Sequence, residues 1–329
     1  MNRTDLEHDT YNIIQMNNRS NIQEDAARFT LDKNRRRVEL CPCGKSNKDG
    51  KFVPFVGYNN YGYCHSCGEV FYPDTDNDHK GITYYQKPFK VSYIPVEDFK
   101  KSLTSLHNDN LTNFLRHKLG SQMTEQLMAT YFINGSTVWK GATIFWQIDI
   151  QGKIRAGKIM LYNPNTGRRI KEPARIDWVH NKLSLPEFNL VQCLFGEHLL
   201  AKDTKKPVGI VESEKTAIIA SALLPELIWL ATGGKDGLSV NKCKVLKGRD
   251  VILFPDLNAY ELWGKKALDL KKYITGAKFT LSDLLDKNAS ISEKSMGWDL
   301  ADFLLNDLAS SRFSTRSNYV LINNTLSKN

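Results

Sequence analysis

The 329-residue chain has no run of eighteen uninterrupted apolar residues, which argues against a membrane-spanning helix. Its opening, Met1-Asn-Arg-Thr-Asp-Leu-Glu-His8, lacks the basic-then-apolar layout of a secretory signal. No Gly-x4-Gly-Lys-Ser/Thr sequence occurs, so an ATP-driven motor built on that phosphate loop is not expected within these residues. Acidic residues are the scarcer charge: 36 Asp plus Glu against 45 Lys plus Arg, a formal net charge of +9. That balance favours a polyanionic partner over an acidic one, although a mildly basic surface accounts for the total equally well. Cysteines number only six, and four of them fall between Cys41 and Cys67, which is not the spread of a disulfide scaffold. The expectation is a cytoplasmic protein with no membrane partner, its thiols kept reduced. Cys193 and Cys243, isolated in apolar or mixed stretches, read as small core residues.

With 41% hydrophobic residues, a chain of this length can bury a sizeable core and is expected to form two or three domains. Residues 1–38 are polar and Asn-rich, with one amphipathic stretch from Ile22 to Leu31 and a basic run from Lys33 to Arg37, and read as an arm. Residues 39–73 switch to Gly, Tyr, Phe and Cys in short alternating runs, the pattern of a small β module. Residues 74–95 read as a linker, and 96–205 as a helical segment followed by a basic hairpin. Within it Phe99, Leu103, Leu106, Leu111, Phe114, Leu115, Leu127 and Met128 recur at helical spacing. Trp139 to Tyr162 then alternates as strands do, with Ile144, Trp146 and Ile148 on one side and a turn at Gln151-Gly152.

From Pro207 short apolar strands alternate with helical stretches: strand 208–212, helix 215–223, strand 227–231, strand 250–255, helix 259–274 and strand 277–281. That order implies a parallel sheet over 206–308, with a last helix at Leu300 to Leu308 and a tail at 309–329. The expected fold class is therefore α/β and α+β multidomain: a β ribbon, a mixed helical and hairpin middle, and a Rossmann-like parallel-sheet domain.

Cys41-Pro-Cys43-Gly and Cys64-His-Ser-Cys67-Gly are separated by twenty residues, room for a hairpin that brings two knuckles together. Cys41, Cys43, Cys64 and Cys67 in tetrahedral array suit a structural Zn²⁺, with the first knuckle one residue shorter than usual and His65 or His79 able to replace a thiolate. Lys45, Lys48, Lys51, Tyr58, Tyr61 and Tyr63 decorate the intervening hairpin. Lysines meet phosphates and exposed rings stack on unpaired bases, but in so small a ribbon some rings must form the core.

Glu212 follows the strand Val208–Val211 and Asp256 follows Phe254-Pro255. Carboxyl ends of adjacent parallel strands face one crevice, where two carboxylates can converge on a hard cation such as Mg²⁺ or Mn²⁺. Asn258 points to the side of Asp256 if the chain stays extended. Asp299 and Asp302 are further carboxylates, with helix N-terminal charge as the plain alternative. Lys215 opposes the macrodipole in a first helical turn, so it is either solvated or held there to meet a phosphate. Lys153, Arg155, Lys158, Arg168, Arg169 and Lys171 make a basic stripe fit for a phosphate backbone, though Arg155 and Lys158 do not share a strand face, and a solvated sheet face is the plain alternative.

The Glu-ended strand, Asp256-Leu-Asn258 and the closing acids resemble the Toprim domain of DnaG-type primases, topoisomerases and related nucleases. A four-cysteine ribbon upstream narrows the resemblance to primase-like proteins, and the layout is similar to Toprim proteins of Bacteroidetes mobile elements. The resemblance implies replication chemistry: single-stranded DNA template and nucleoside triphosphates as partners, a replicative helicase as a candidate partner, and primer synthesis with Mg²⁺ or Mn²⁺. It carries a catalytic role onto Glu212, and metal binding onto Asp256 and the later acids. The family's Glu-Gly-x-x-Asp reads Glu212-Ser-Glu-Lys-Thr216 here and its Asp-x-Asp reads Asp256-Leu-Asn258, which thins the carboxylate set and weakens divalent binding. A Toprim nuclease and a catalytically silent zinc-ribbon DNA-binding replication protein are the alternatives.

Overall fold

The structure, a computed structural model, describes residues 29–44, 46–65, 69–73, 91–104, 109–185 and 188–309. The chain divides into two compact units, one ending at Phe89 and the other beginning at Lys90. Expectations placed on residues 1–28, 74–90 and 310–329, and on Cys67 and His79, lie outside the described residues.

The small unit is an antiparallel ribbon of β1 (Phe52–Pro54), β2 (Gly62–Cys64) and β3 (Val70–Phe71). Phe52 pairs with Cys64 and Pro54 with Gly62. At Gly62 a Cβ would stand 2.2 Å from the Val53 carbonyl oxygen, so the ribbon closes only around a glycine. Val38, Cys41, Phe52 and Cys64 form one buried cluster, with Cys43 and Phe71 packed against it, and Val53 and Phe55 are buried besides. So thin a core recruits chain from before it. Leu31 bridges Phe55, the Phe29 ring stacks on Phe55 at 5.0 Å, and the Arg37 guanidinium donates to the Phe55 carbonyl at 2.9 Å. Residues 29–38 therefore belong to the ribbon's body, not to an arm ending at residue 38, and Leu31 lies in an isolated bridge.

In the large unit, helices α1 (Val96–Thr104), α2 (Asn110–Leu119) and α3 (Ser121–Tyr131) precede the antiparallel sheet. Its strands are β4 (Asn134–Ser136), β5 (Ala142–Ile148), β6 (Ile154–Leu161) and β7 (Ile176–Trp178), in that spatial order. Asp109 starts α2, accepting from the backbone N–H of Thr112 at 2.9 Å and from the Thr143 hydroxyl of β5 at 2.7 Å. Ile144, Trp146 and Ile148 share one face with Ile159 and Val179, as the alternation implied. Phe145 points the other way, into the core of the following parallel sheet.

That sheet runs β11-β10-β8-β9, all parallel: β8 (Val208–Val211), β9 (Ile228–Ala231), β10 (Asp250–Leu253) and β11 (Lys278–Leu281). The helices α4 (Val179–Lys182), α5 (Glu214–Leu223), α6 (Val240–Cys243), α7 (Tyr260–Tyr273), α8 (Leu284–Asn288), α9 (Ile291–Met296) and α10 (Leu300–Ala309) fill out the unit. The expected fold class holds: antiparallel ribbon, antiparallel hairpin sheet and parallel sheet, in that order. Phe195 exchanges backbone hydrogen bonds with Ala231 of β9 at 2.9 and 3.1 Å, and the Tyr131 hydroxyl donates to the Trp229 carbonyl at 3.0 Å. One core thus runs from α2 to α10, and the expected division at residue 205 separates no two cores. Cys193 and Cys243 are buried in this unit, and burial pushes the Cys243 thiol up to about 12, as inert core cysteines require. Among the described residues no helix is long and apolar enough to cross a membrane.

Candidate active site

β8 is one of the two interior strands, hydrogen-bonded to β10 on one side and β9 on the other, so its carboxyl end opens beside both neighbours. Glu212 leaves that end only 7% exposed. The Asp256 backbone lies close enough to the Glu212 carboxylate to favour its charged form. Glu212 Oε1 is buried without a hydrogen-bond partner among the described residues. Burial raises the Glu212 carboxyl above its ordinary range. The Asp256 carboxyl is pushed up to about 8, first by burial and then by the charges of Glu212 and Asp299, with Lys215 pulling against them.

α5 begins here because Ser213 caps it, accepting from the Thr216 N–H at 3.2 Å. The same turn carries Lys215 and Thr216 toward the start of α10. The Thr216 hydroxyl donates to Asp299 Oδ2 at 2.8 Å, and Asp302 donates its backbone N–H to Asp299 Oδ1 at 2.9 Å. Asp299 therefore caps the start of α10, as the plain reading of that acid implies, and is also bound to α5 through Thr216. Lys215 Nζ lies 3.8 Å from Asp299 and 3.9 Å from Asp302, its side chain largely buried. It is not a solvated surface lysine. Burial, followed by the charge of Asp299, raises the Asp302 carboxyl.

Four of the five expected magnesium ligands, Glu212, Asp256, Asp299 and Asp302, thus share one crevice. The fifth, Asn258, is exposed and its amide lies against Gly297. The chain turns into a single 3-10 turn at Leu257–Ala259 instead of staying extended, which carries the Asn258 amide over to Gly297, where a Cβ would stand 2.6 Å from Asn258 Nδ2. Asn258 offers its backbone carbonyl to Lys235 Nζ at 3.1 Å. Nor are the acids drawn tightly together. Among the described residues the set of metal-capable side chains whose ligand atoms all lie within 4.8 Å of one another is Cys41, Cys43 and Cys64.

Those three thiols suit zinc, since a tetrahedral ion with Zn–S bonds of about 2.3 Å sets its sulfurs about 3.8 Å apart. The Cys43 N–H points at the Cys41 sulfur at 3.4 Å, the amide-to-sulfur contact expected of a knuckle. Burial, reinforced by the two neighbouring thiols, raises the Cys41 thiol. Beside the ribbon, Lys33, Arg35 and Arg36 line a shallow basic depression with Asp49 and Gly50. The Tyr58 and Tyr61 rings meet edge to face at 5.7 Å, and Tyr58 also meets Phe29, so these rings serve the ribbon's own packing.

The six basic residues of the middle do not form one stripe. Lys158 faces Phe145 across the β5–β6 ladder, which turns it inward. Its ammonium is buried, 3.0 and 3.2 Å from the two Glu214 oxygens and 3.0 Å from the Gly233 carbonyl. Gly233, in the left-handed region at φ +84°, lets the loop after β9 approach this pair. Arg155 pairs with buried Asp149 at 2.7 Å and lies over the Tyr93 ring, as does Lys153. Only Arg168, Arg169 and Lys171 are exposed together, in the loop between β6 and β7. Arg168 is close enough to act on the Asp302 carboxyl, so this loop borders the acidic crevice. Glu214 has no role in the sequence pattern beyond its place in Glu212-Ser-Glu-Lys-Thr216; the signal for the ion pair was a lysine in the middle of an otherwise apolar strand.

A family profile described as a domain of unknown function (DUF6371) matches residues 109–257, a span that holds Glu212, Lys215 and Asp256 but not the four cysteines between Cys41 and Cys67, Asp299 or Asp302. No curated protein matches the sequence. Among solved structures, the chain is similar to the primase fragment of the bacteriophage T7 primase-helicase, at 14% identity and a TM-score of 0.37, over 79% of this chain and 98% of that one. It is also similar to a DnaG catalytic core, at 12% identity and 0.40, over 65% and 81%. A third likeness is to the RNA polymerase domain of Mycobacterium tuberculosis DnaG in complex with double-stranded DNA, at 12% and 0.40, over 65% and 77%. Likenesses of this depth leave the chemistry to be argued from the residues.

Proposed function

We propose that the chain is a primase-like nucleotidyltransferase that binds single-stranded DNA and joins nucleotides with Mg²⁺ or Mn²⁺ held by Glu212 and Asp256, in replication of a mobile element. One observation carries the reading: Glu212 is buried with a partnerless oxygen beside Asp256, in a crevice whose other acids already share a lysine. Two crowded, desolvated carboxyls are costly alone and are compensated by a divalent cation. Such an ion supplies charge neutralisation at transferring phosphates and activation of an attacking hydroxyl. The chain's own part is to fix the two carboxylates on rigid strand ends, to hold Asp299 through Thr216, and to present Arg168, Arg169 and Lys171 at the crevice edge to a nucleic-acid backbone.

The test is primer synthesis on single-stranded template with Mg²⁺ or Mn²⁺ and labelled nucleotides. Glu212→Gln is expected to lower the rate by more than about 10²-fold, the scale of losing several kcal/mol of metal-centred stabilisation. Template degradation that is equally sensitive to Glu212→Gln would make the protein a nuclease. Retained DNA binding with neither product would make it a silent binder, the reading that the displaced Asn258 favours.

The exposed loop gives a separate expectation. Replacing Arg168, Arg169 and Lys171 together by Ala should reduce the slope of log affinity against log salt by about 2, since each single-strand phosphate contact contributes about 0.7. An unchanged slope in a fluorescence-anisotropy titration would remove this loop from the DNA path.

A further inference from the structure

The crevice contains its own cation. Lys215 reaches it from the first turn of α5, and its ammonium stands within 4 Å of carboxylate oxygens of both Asp299 and Asp302. The lone pairs of Asp299 are further engaged by the Thr216 hydroxyl and the Asp302 N–H. On that side, then, the two carboxylates already share an ammonium within 4 Å, and Arg168 acts on Asp302 as well. On the other side Glu212 keeps a buried oxygen with no partner among the described residues, and Asp256 stands beside it. Four carboxylates could in charge alone balance two divalent ions, the pair common in phosphoryl chemistry at about 3.5–4 Å separation. Here they divide into a half that holds an ammonium within 4 Å and a half that, among the described residues, has no ion pair at that distance, Lys235 and Lys215 acting on Glu212 and Asp256 only from farther away.

Resting on the metal reading above, we propose that the crevice takes one divalent cation, at Glu212 and Asp256, and that the Lys215 ammonium stands at Asp299 and Asp302 in place of a second. A lysine is a compact point charge, able to offset part of the charge of two carboxylates but unable to coordinate a phosphate oxygen and a carboxylate together as a metal does. Position 216 fits the same division. Where the resembling family has an aspartate, this chain has a threonine that donates a hydrogen bond to Asp299, so it adds no negative charge that a second ion would be needed to balance.

The test is the number of Mn²⁺ ions bound per zinc-loaded full-length chain, read from the loss of the free Mn²⁺ electron paramagnetic resonance signal and requiring no turnover. Wild type should bind one crevice Mn²⁺, Glu212→Gln none, and Lys215→Met two, while Lys215→Arg should stay at one. The thermal melt of each variant checks that it is folded. Two crevice ions in wild type overturn the proposal whether or not Lys215→Met folds, and so does a single ion in a folded Lys215→Met. In both cases the metal reading survives. A wild type that binds no Mn²⁺ that Glu212→Gln removes overturns the metal reading and this proposal with it.

Discussion

Removing zinc should unfold the ribbon and leave the rest of the chain folded. The small unit's buried apolar residues, among those described, are Val38, Cys41, Phe52, Val53, Phe55 and Cys64, and two of those six are the thiols themselves. Such a core is far below what a domain needs to stand alone. In small zinc modules metal binding supplies folding free energy on the order of 10–16 kcal/mol at neutral pH, so the loss is not offset by three short strands. The sequence provides a clean readout, because all six tryptophans lie between Trp139 and Trp298, within the large unit. Chelation, or Cys41→Ser with Cys64→Ser, is expected to leave the tryptophan melting transition in place while proteases gain access to residues 29–73. A chain that contains no zinc by elemental analysis, or a ribbon equally protected after chelation, would show that the thiols simply pack together.

The parallel sheet was legible because each strand is a short apolar run ended by a polar or turn residue and each helix is separated from the next by such a run. Strand 208–212 and helix 259–274 were expected within a residue or two of where they lie. The crevice pair followed from the same pattern, since the order of strands and helices fixes which strand ends meet. What the pattern could not show is the direction of a side chain past the strand end. Asn258 depends on whether three residues extend or turn, and they turn. Residues 29–38 looked too polar for a core, yet a ribbon this thin has to take Phe29 and Val38 from them. Lys158 was counted as exposed because lysine usually is; only the pairing of Phe145 with Lys158 reveals that it faces the interior.

Lys158 and Glu214 make the second large expected effect, and they also separate structure from function in the basic hairpin. Their side chains are 9% and 1% exposed, and the ammonium donates to both carboxylate oxygens and to the Gly233 carbonyl. Removing either partner leaves a charge in a site closed to water, so Glu214→Leu or Lys158→Met alone should each cost about 3–5 kcal/mol. For a unit of this size that corresponds to a melting temperature lower by about 10 °C. Removing both should cost much less than the sum, since hydrophobic replacement of a whole buried pair is often neutral, so urea denaturation followed by tryptophan fluorescence should show strong coupling in the double-mutant cycle. Additive losses would mean that the two groups are each satisfied by other partners. Folded protein carrying both changes should then bind single-stranded DNA with the wild-type salt slope, because a buried ammonium bound to a carboxylate releases no counterion from a phosphate. A slope reduced by about 0.7 would instead place Lys158 on the nucleic-acid path, and would require the Gly233 loop to open so that Glu214 yields its partner to the backbone.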